Sequence, residues 1–339
     1  MRKQIAIPVS DSSLAAEARR MAMNLAQSLG FDETGAGKVA IVVTEAAKNL
    51  AKYATGGELL LRPLERSGIN GLEIMTLDRG PGMANVSQCL VDGYSTSGSP
   101  GQGLGAISRI CSLFDIHSAV GSGTALVARL WAKPLPKNLP GRRLETGVVC
   151  LPKPGEEVSG DDWAVDHRPG FSLLLVADGL GHGLMAAEAS AAAIKIFKKN
   201  THLDPARMVE AIHSDLRSMR GAVVAVVKVD MARQLVLFTG VGNISGCILS
   251  AEENIGLTSY NGTVGREVSK IREFTYPWPE GAMLIMHSDG LATHWKLSQY
   301  PGLIRRHPSL IAGVLYRDYN RGNDDVTVLV AKGVKEEIR

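Results

Sequence analysis

Near its middle, this chain reads Leu173-Leu-Leu-Val-Ala-Asp178-Gly179-Leu-Gly181-His182-Gly183. The apolar first half of this segment is typical of a buried strand, and the strand ends at an acid that is followed by three glycines within five residues. Because glycine adds no side chain, the backbone beside Asp178 can approach a ligand closely. Taken alone, the segment could equally be an ordinary Asp-Gly turn. The rest of the chain decides between a turn and a site for a metal or a phosphate.

The composition is typical of a soluble globular protein and excludes several functions. Apolar residues make up 45% and charged residues 21% of the 339 residues, and the formal net charge is +3. No apolar run is long enough to span a membrane and the start lacks a signal-peptide core, so we expect a cytoplasmic protein with no membrane partner. Without clusters of Lys and Arg, we also expect no nucleic-acid partner. The four cysteines are too widely spaced for a zinc site or a disulfide framework.

Four acids stand at predicted strand ends in the second half of the chain. Asp161 precedes a strand, Asp178 and Asp289 each end one and are followed by glycine, and Asp324 opens the last strand. Carboxylates delivered in this way suit Mg²⁺ or Mn²⁺, which prefer oxygen ligands. Two such ions about 3.5–4 Å apart can clamp a phosphate oxygen. A turn explains any single Asp-Gly pair, but the whole pattern favours a metal site.

The first half of the chain carries a different pattern. Glu45 and Asn49 are four residues apart on a predicted helix and so share one face, although a solvated pair would look the same. A later predicted strand ends in Asp78-Arg-Gly80-Pro-Gly82. Glycine-rich residues 93–105 then lead into a helix predicted over 104–113, whose first N–H groups offer an anion site. The three features in this order are more specific than any one of them.

These motifs resemble the boxes of the GHKL ATPase fold over residues 10–132. Within that fold they are most similar to the bacterial anti-sigma and switch-kinase branch, which includes the RsbT-type serine kinases of the stressosome. Lys48 is a departure, since the switch kinases commonly have Arg there. The matching segments are Thr44-Glu45-Ala-Ala-Lys-Asn49, Asp78-Arg-Gly80-Pro-Gly82, Gly93-Tyr-Ser-Thr-Ser-Gly98 and Gly101-Gln-Gly103-Leu-Gly105.

The resemblance implies a site for ATP and Mg²⁺. Asp78 would receive the adenine amino group, and Asn49 would hold the Mg²⁺ that bridges the phosphates. Glu45 would be the general base that takes the proton from a protein hydroxyl as it attacks the γ-phosphate. The other nucleotide-binding residues implied are Gly80, Gly82, Gly101, Gly103, Gly105 and Thr124.

The second half resembles the PP2C-type metal-dependent phosphatases of the SpoIIE branch, and within it the RsbX type, over residues 145–331. The resemblance implies two ions, Mn²⁺ or Mg²⁺, and a phosphoserine or phosphothreonine substrate. Asp178 would bridge the ions, and the ligand set would be completed by Asp161, the Gly179 carbonyl, Asp289 and Asp324. The matching segments include Gly160-Asp161, Val176-Ala-Asp178-Gly-Leu-Gly181, His287-Ser-Asp289-Gly-Leu291 and Asp324-Asp325-Val-Thr327.

Some assignments in this half stay open. A register error of one residue would exchange Asp161 with Asp162, or Asp324 with Asp325. His182 either donates a proton to the leaving oxygen or simply packs in its loop. His287 is expected to point away from the metals because side chains alternate along a strand.

The sequence therefore predicts an α+β protein of two domains. Residues 1–133 would form a GHKL α/β sandwich (the Bergerat ATP-binding fold), 134–142 a Pro-rich linker, and 143–335 a PP2C-like β-sandwich flanked by helices over 184–198 and 205–219. We expect a bifunctional regulator that phosphorylates and dephosphorylates a STAS-type protein.

Other functions fit the same motifs. The main alternative is an ATP-dependent module that sequesters a partner, such as a sigma factor or a separate phosphatase. A histidine kinase is a poorer choice, because no dimerisation helix with a phospho-accepting His precedes the first domain.

Overall fold

The computed structural model describes residues 3–91, 103–136 and 144–334. The chain forms two compact units. The first comprises Met1–Pro140 together with Leu297–Arg317, and the second comprises Gly141–Lys296 together with Asp318–Arg339. The predicted domain boundaries stay a prediction, and most of the predicted linker lies outside the described residues. One feature was not expected, because a segment far beyond the linker packs as part of the first unit.

The first unit contains a five-stranded antiparallel sheet in the order β1-β2-β3-β5-β4. Helices α1 and α2 each begin at an aspartate that caps the first turn: Asp11 Oδ1 accepts from the backbone N–H of Ser13 at 2.8 Å, and Asp32 Oδ1 accepts from that of Gly35 at 2.7 Å. The elements are β1 Ile5–Pro8, α1 Ser12–Ser28, α2 Glu33–Tyr53, β2 Glu58–Arg66, β3 Ile69–Leu77, α3 Val86–Cys89, α4 Gly103–Ile110, β4 Leu113–Ser118 and β5 Thr124–Trp131.

Helix α4 is shorter than the sequence predicts. It ends at Ile110 rather than at residue 113, and Leu113 already begins β4. The reason lies in Ser112, whose backbone N–H and hydroxyl both donate to the Arg129 carbonyl, at 2.9 and 2.8 Å. These bonds draw the chain into the sheet next to β5.

The second unit is a β-sandwich of two five-stranded sheets, with strand orders β13-β10-β9-β8-β7 and β12-β11-β14-β15-β6. Apolar side chains of both sheets form its core, and helices α5 and α6 cover the outer face of the first sheet. Its strands and helices, with the late helix α7, are β6 Leu144–Leu151, β7 Asp161–Arg168, β8 Phe171–Gly179, α5 Leu184–Lys199, α6 Pro205–Asp215, β9 Ala222–Asp230, β10 Leu235–Val241, β11 Ser245–Leu249, β12 Asn254–Gly256, β13 Phe274–Pro277, β14 Met283–His287, α7 Pro308–Tyr319 and β15 Val326–Gly333. The predicted two-domain α+β fold class is confirmed.

Helix α7 covers the sheet of the first unit. Along β3, Leu72 and Ile74 face the core formed with α1 and α2, so by alternation the residues between and after them face the other side of the sheet. Gly313 of α7 lies against that second side, where an added Cβ would sit 2.5 Å from Met75 Sδ. The absence of a side chain at Gly313 thus lets the helix approach the sheet closely. The sequence analysis assigned no helix to this segment.

Buried Glu73 joins this helix to the sheet. Its Oε1 accepts from Arg62 Nε at 2.9 Å, and its Oε2 accepts from Arg129 Nε at 2.7 Å and from the Ser309 hydroxyl at 2.8 Å. Burial alone would raise the pKa of Glu73, but the two guanidinium charges outweigh it and lower the pKa to about 2. The carboxylate is therefore ionised and fully paired inside the unit.

Replacing Glu73 with alanine should destabilise the first unit by about 3–5 kcal/mol, since it leaves two largely buried guanidinium groups without their counter-charge. Because the folded pKa lies below the usual 4.5, the stabilisation is complete above that pH and is lost as the pH falls towards 2. Urea unfolding of the full chain at pH 7 and at pH 3 measures both effects. Glu65→Ala removes an exposed glutamate of β2 and serves as the control; equal losses for the two variants would contradict the prediction.

Candidate functional sites

A cavity of about 1290 Å³ lies in the first unit between α2 and the sheet. Its volume exceeds the range of about 300–1,000 Å³ that is usual for small-molecule sites. Apolar residues such as Ile116 and Leu126 form part of its wall. Six of the predicted nucleotide-site residues line it: Glu45, Asn49, Asp78, Gly82, Gly103 and Thr124.

Two of the remaining predicted residues, Gly80 and Gly105, do not line the cavity. Gly80 is not on the wall, but its backbone N–H donates to Asp78 Oδ1 at 2.7 Å. Gly105 is buried within α4. Gly101 and the motif over residues 93–98 fall outside the described residues. The structure therefore brings most of the predicted site to one cavity and leaves the central part of the glycine-rich loop undescribed.

Asp78 is held in a fixed orientation at the end of β3. Its Oδ1 accepts from the N–H groups of Gly80 and Thr124, at 2.7 and 3.3 Å. Its own N–H donates to the Thr124 carbonyl at 3.0 Å. Burial raises the pKa of the Asp78 carboxyl, although these hydrogen bonds oppose the shift. A half-buried, oriented carboxylate of this kind can accept a hydrogen bond from an amino group of a ligand.

Two glycines shape the cavity by leaving out a side chain. Gly82 has a φ of +69°, and a Cβ there would collide with the Ala119 carbonyl. A Cβ at Gly103 would lie 2.9 Å from Glu45 Oε2, so the first turn of α4 faces the Glu45 carboxylate directly. The N–H groups at the start of α4 and Lys48, whose Nζ lies 3.0 Å from Glu45 Oε1, add donors beside the cavity. These residues fit a nucleotide whose base lies near Asp78 and whose phosphates lie near α4.

The second unit contains a smaller, acidic cavity of about 210 Å³. Strands β7 and β8 pair so that Asp161 stands opposite Asp178. Asp289 follows β14 and Asp324 precedes β15. Asp178, Asp289 and Asp324 line the cavity, and Asp161 and Gly179 lie beside it without lining it. Four strand ends thus deliver the four predicted acids to one end of the sandwich.

Asp161 is buried under this cavity. Its Oδ2 accepts from the Ser288 hydroxyl at 2.6 Å, whereas its Oδ1 is buried without a hydrogen-bond partner. Burial and the neighbouring carboxylates raise the pKa of Asp161 to about 7 and that of Asp178 to about 9. A buried oxygen without a partner and acids that repel one another both favour a divalent cation as counter-charge.

The neighbouring acids have other roles. Asp325 accepts from the N–H groups of Lys153 and Gly160, at 2.8 and 2.9 Å, and so fixes the loop between β6 and β7. Asp162 accepts from the N–H of Trp163 at 2.8 Å, and alternation places it on the face of β7 opposite to Asp161. Within the described residues, no three His, Cys, Asp or Glu side chains converge closely enough to hold an ion. The geometry favours Asp161 and Asp324 over these neighbours, and the ligand set stays a prediction.

Three residues at this site, Asn243, Ser288 and Glu156, had no role in the sequence analysis, whereas His182 had two alternative roles there. Asn243 Nδ2 donates to Asp289 Oδ2 at 2.8 Å, and the Asn243 side chain lines the cavity. His182 lines it too, with Nδ1 2.6 Å from Glu156 Oε1. The Gly-Asn pair after β10 is a local signal for Asn243, because Gly and Asn are typical of turns, and Gly242 has a φ of +100°. Nothing local marks Ser288 or Glu156, because their partners are distant in sequence.

His287 follows the expected alternation. It is buried and does not line the cavity. Trp295 Nε1 donates to its Nε2 at 3.3 Å, so its Nδ1 carries the proton and donates to the Ser288 carbonyl at 2.8 Å. Burial lowers the pKa of this imidazole. His287 therefore supports the strand end that carries Asp289.

Two family models match this chain. The family described as "Histidine kinase-like ATPase domain" matches residues 8–130, and "Stage II sporulation protein E (SpoIIE)" matches residues 169–333. The first match contains all the residues that line the larger cavity, and the second contains those that line the acidic cavity except Lys153. None of the helices in the described part of the chain has the length and apolarity needed to cross a membrane.

Individual proteins of both kinds are similar to this chain. The serine/threonine-protein kinase RsbT of Bacillus subtilis (strain 168) is 33% identical over 116 residues, which are 34% of this chain and 87% of RsbT. The phosphoserine phosphatase RsbX of the same organism is 26% identical over 149 residues, 44% of this chain and 75% of RsbX. A solved structure described under "The bacterial stressosome: a modular system that has been adapted to control secondary messenger signaling" is 31% identical with a TM-score of 0.53, and covers 56% of this chain and 98% of its own.

Proposed function

Because the chain belongs to the family of the serine/threonine kinase RsbT and also carries a SpoIIE-type PP2C phosphatase domain, we propose that it is a bifunctional partner-switching regulator. Its first unit would phosphorylate a serine or threonine of a STAS-type protein with ATP and Mg²⁺. Its second unit would remove phosphate from the same protein or a related one. The observation that carries the proposal is that each unit has its own cavity, lined in the first unit by Glu45, Asn49 and Asp78 and in the second by Asp178, Asp289 and Asp324.

In the first unit, different residues of the cavity would have different roles in phosphate transfer. ATP would supply the phosphoryl group. Asp78, held through Oδ1, would accept a hydrogen bond from the adenine amino group, and Asn49 would hold the Mg²⁺. Glu45 faces the start of α4, so it would take the proton from a substrate hydroxyl placed between them. The apolar wall of the cavity would exclude water from the adenine.

In the second unit, the acids would hold the ions and the substrate phosphate. Mg²⁺ or Mn²⁺, bound as a pair, would supply positive charge for the phosphate and activate water. Asp178, Asp289 and Asp324 surround the cavity in which a phosphoserine side chain would be placed. Asn243 would keep Asp289 in position, and Asp161 would contribute from below through its oxygen that has no hydrogen-bond partner.

Both activities can be measured on the purified full chain. Release of phosphate from a synthetic phosphoserine peptide should require Mn²⁺ or Mg²⁺ and stop on chelation. A fluorescent ATP analogue should bind and be displaced by ATP. Absence of phosphate release at saturating metal would reject the phosphatase function, and absence of nucleotide binding would reject the kinase function.

A partner-sequestering protein would bind nucleotide in the same way. It differs because its effect on the partner would not depend on Glu45 or Asp178. The variants Glu45→Gln and Asp178→Asn therefore distinguish a sequestering protein from a bifunctional enzyme. A STAS-type protein as the bound partner and a location in the cytoplasm are parts of the same proposal.

The Asn243→Ala variant should bind Mn²⁺ about 10–100-fold more weakly, the usual effect of removing an outer partner of a metal ligand. Asp289 would lose the amide that fixes its Oδ2. Isothermal titration with Mn²⁺ measures the affinity directly. Asn254→Ala, on exposed β12 of the same unit, is the control and should bind as the wild type does; an unchanged affinity for Asn243→Ala would refute this role.

A further inference from the structure

The chain passes from the first unit to the second between Arg317 and Asp318, close to the end of α7. On the first-unit side, Arg317 Nη1 donates to the backbone carbonyl of Asp78 at 2.8 Å. The guanidinium of Arg79 in turn donates to the carbonyl of Arg317. The loop proposed to recognise adenine is therefore joined to the end of α7 by hydrogen bonds in both directions.

The rest of the segment is anchored along the same sheet. The Tyr316 hydroxyl donates to Glu58 Oε1 at 3.3 Å, and the Ser309 hydroxyl donates to Glu73 Oε2 at 2.8 Å. The N–H of His307 donates to an oxygen of Asp115 at 2.7 Å. These contacts attach α7 and the residue before it to three strands of the sheet, β2, β3 and β4.

On the second-unit side, the residues just after Asp318 are hydrogen-bonded to the loop that carries the predicted metal ligand Asp289. The N–H of Ala292 donates to the Tyr319 carbonyl at 2.9 Å, and the N–H of Arg321 donates to the Gly290 carbonyl at 2.9 Å. Gly290 directly follows Asp289, and Asp324 is three residues beyond Arg321. Both Asp289 and Asp324 line the acidic cavity.

We propose that the end of α7 couples nucleotide binding in the first unit to the metal site of the second, with Arg317 as the positioning residue. This inference rests on the proposed function, which places adenine at Asp78 and the ions at Asp289 and Asp324. A nucleotide that orders the loop at Asp78 also fixes the position of Arg317. Because Asp324 is only seven residues beyond Arg317, this ordering extends along the chain to the predicted metal ligand. Coupling of binding is reciprocal, so ions in the acidic cavity alter the affinity for ATP by the same factor.

Hydrogen exchange of the full chain tests this inference without relying on catalysis. A non-hydrolysable ATP analogue is added at constant free Mg²⁺, and exchange is followed in peptides that cover residues 289–292 and 318–325. In the wild type, bound analogue should slow exchange there by about fivefold or more, which is the lower end of typical coupling between sites. In Arg317→Ala the slowing should be lost while the analogue is still bound. In Arg305→Ala, which changes an exposed arginine of the same segment, it should be retained.

The result that overturns the inference is unchanged exchange in the wild type with the analogue bound, whether or not the variants fold. Slowing of the same size in Arg317→Ala would overturn it as well. Failure of the proposed function has a different signature. Loss of phosphate release with exchange still coupled rejects the phosphatase function alone, whereas failure of the analogue to bind rejects the kinase function together with this inference.

Discussion

Asp178→Asn is expected to lower phosphate release from a phosphoserine peptide by more than the roughly 10–100-fold that loss of an outer partner of a metal site costs. Asp178 is the acid that ends β8, stands opposite Asp161 and lines the acidic cavity. An amide of the same shape keeps the packing but removes the charge that two ions would share. The rate at saturating Mn²⁺ measures the loss.

The same substitution is expected to raise the stability of the metal-free protein. Burial and the neighbouring acids raise the pKa of Asp178 to about 9, so its charge is unfavourable when no cation balances it. Without metal, Asp178→Asn should therefore unfold at a higher temperature than the wild type. Mn²⁺ at 100 times its Kd should stabilise the wild type by about 2.7 kcal/mol, and should stabilise the variant less. Asp215→Asn, an exposed change at the end of α6, is the control; equal metal stabilisation in Asp178→Asn and the wild type would exclude Asp178 as a ligand.

Glu45→Gln should lower phosphate transfer to a STAS-type protein by about 10²–10⁴-fold, the usual contribution of a general base. Glutamine has the shape of glutamate but cannot accept the proton of the attacking hydroxyl. Because Glu45 lies near the start of α4 rather than at Asp78, the affinity for ATP should change little. Transfer of labelled γ-phosphate and displacement of a fluorescent ATP analogue measure the two properties separately.

Glu33→Gln is the matched control for this change, since it removes an exposed carboxylate from the first turn of the same helix. It should transfer phosphate at the wild-type rate. If Glu45→Gln also transfers phosphate at that rate, the carboxylate is not the base. The first unit would then serve as an ATP-dependent binding module.

Much of both sites could be predicted because the signals are local. An acid at the end of an apolar strand, with a glycine one or two residues later, identifies its own position, and Asp78, Asp178 and Asp289 all have this pattern. The fold class follows from the same strands and helices. The pairing of Asp161 with Asp178 needed the register of β7 and β8, which no local pattern contains.

The contribution of α7 to the first unit could not be predicted in this way. Its apolar residues have helical spacing, but they do not specify which sheet they cover. That choice depends on contacts such as Ser309 with Glu73, which are 236 residues apart. The contact of Arg317 with the Asp78 loop is hidden for the same reason, because it is made to a backbone carbonyl, which every residue type has. The Gly-Asn pair marks a turn at Asn243, but the contact of Asn243 with Asp289 has no local signal.

The central claim is that one chain carries two separate sites with opposing actions on protein phosphate. The most direct test follows the phosphate on a STAS-domain protein from the same genome, mixed with labelled ATP, Mg²⁺ and the full chain. With the wild type, label on the protein should rise and then fall as ATP is exhausted. With Asp178→Asn it should rise and persist, and with Glu45→Gln it should not appear. Label that never appears with the wild type, or that falls as fast with Asp178→Asn, would contradict the account.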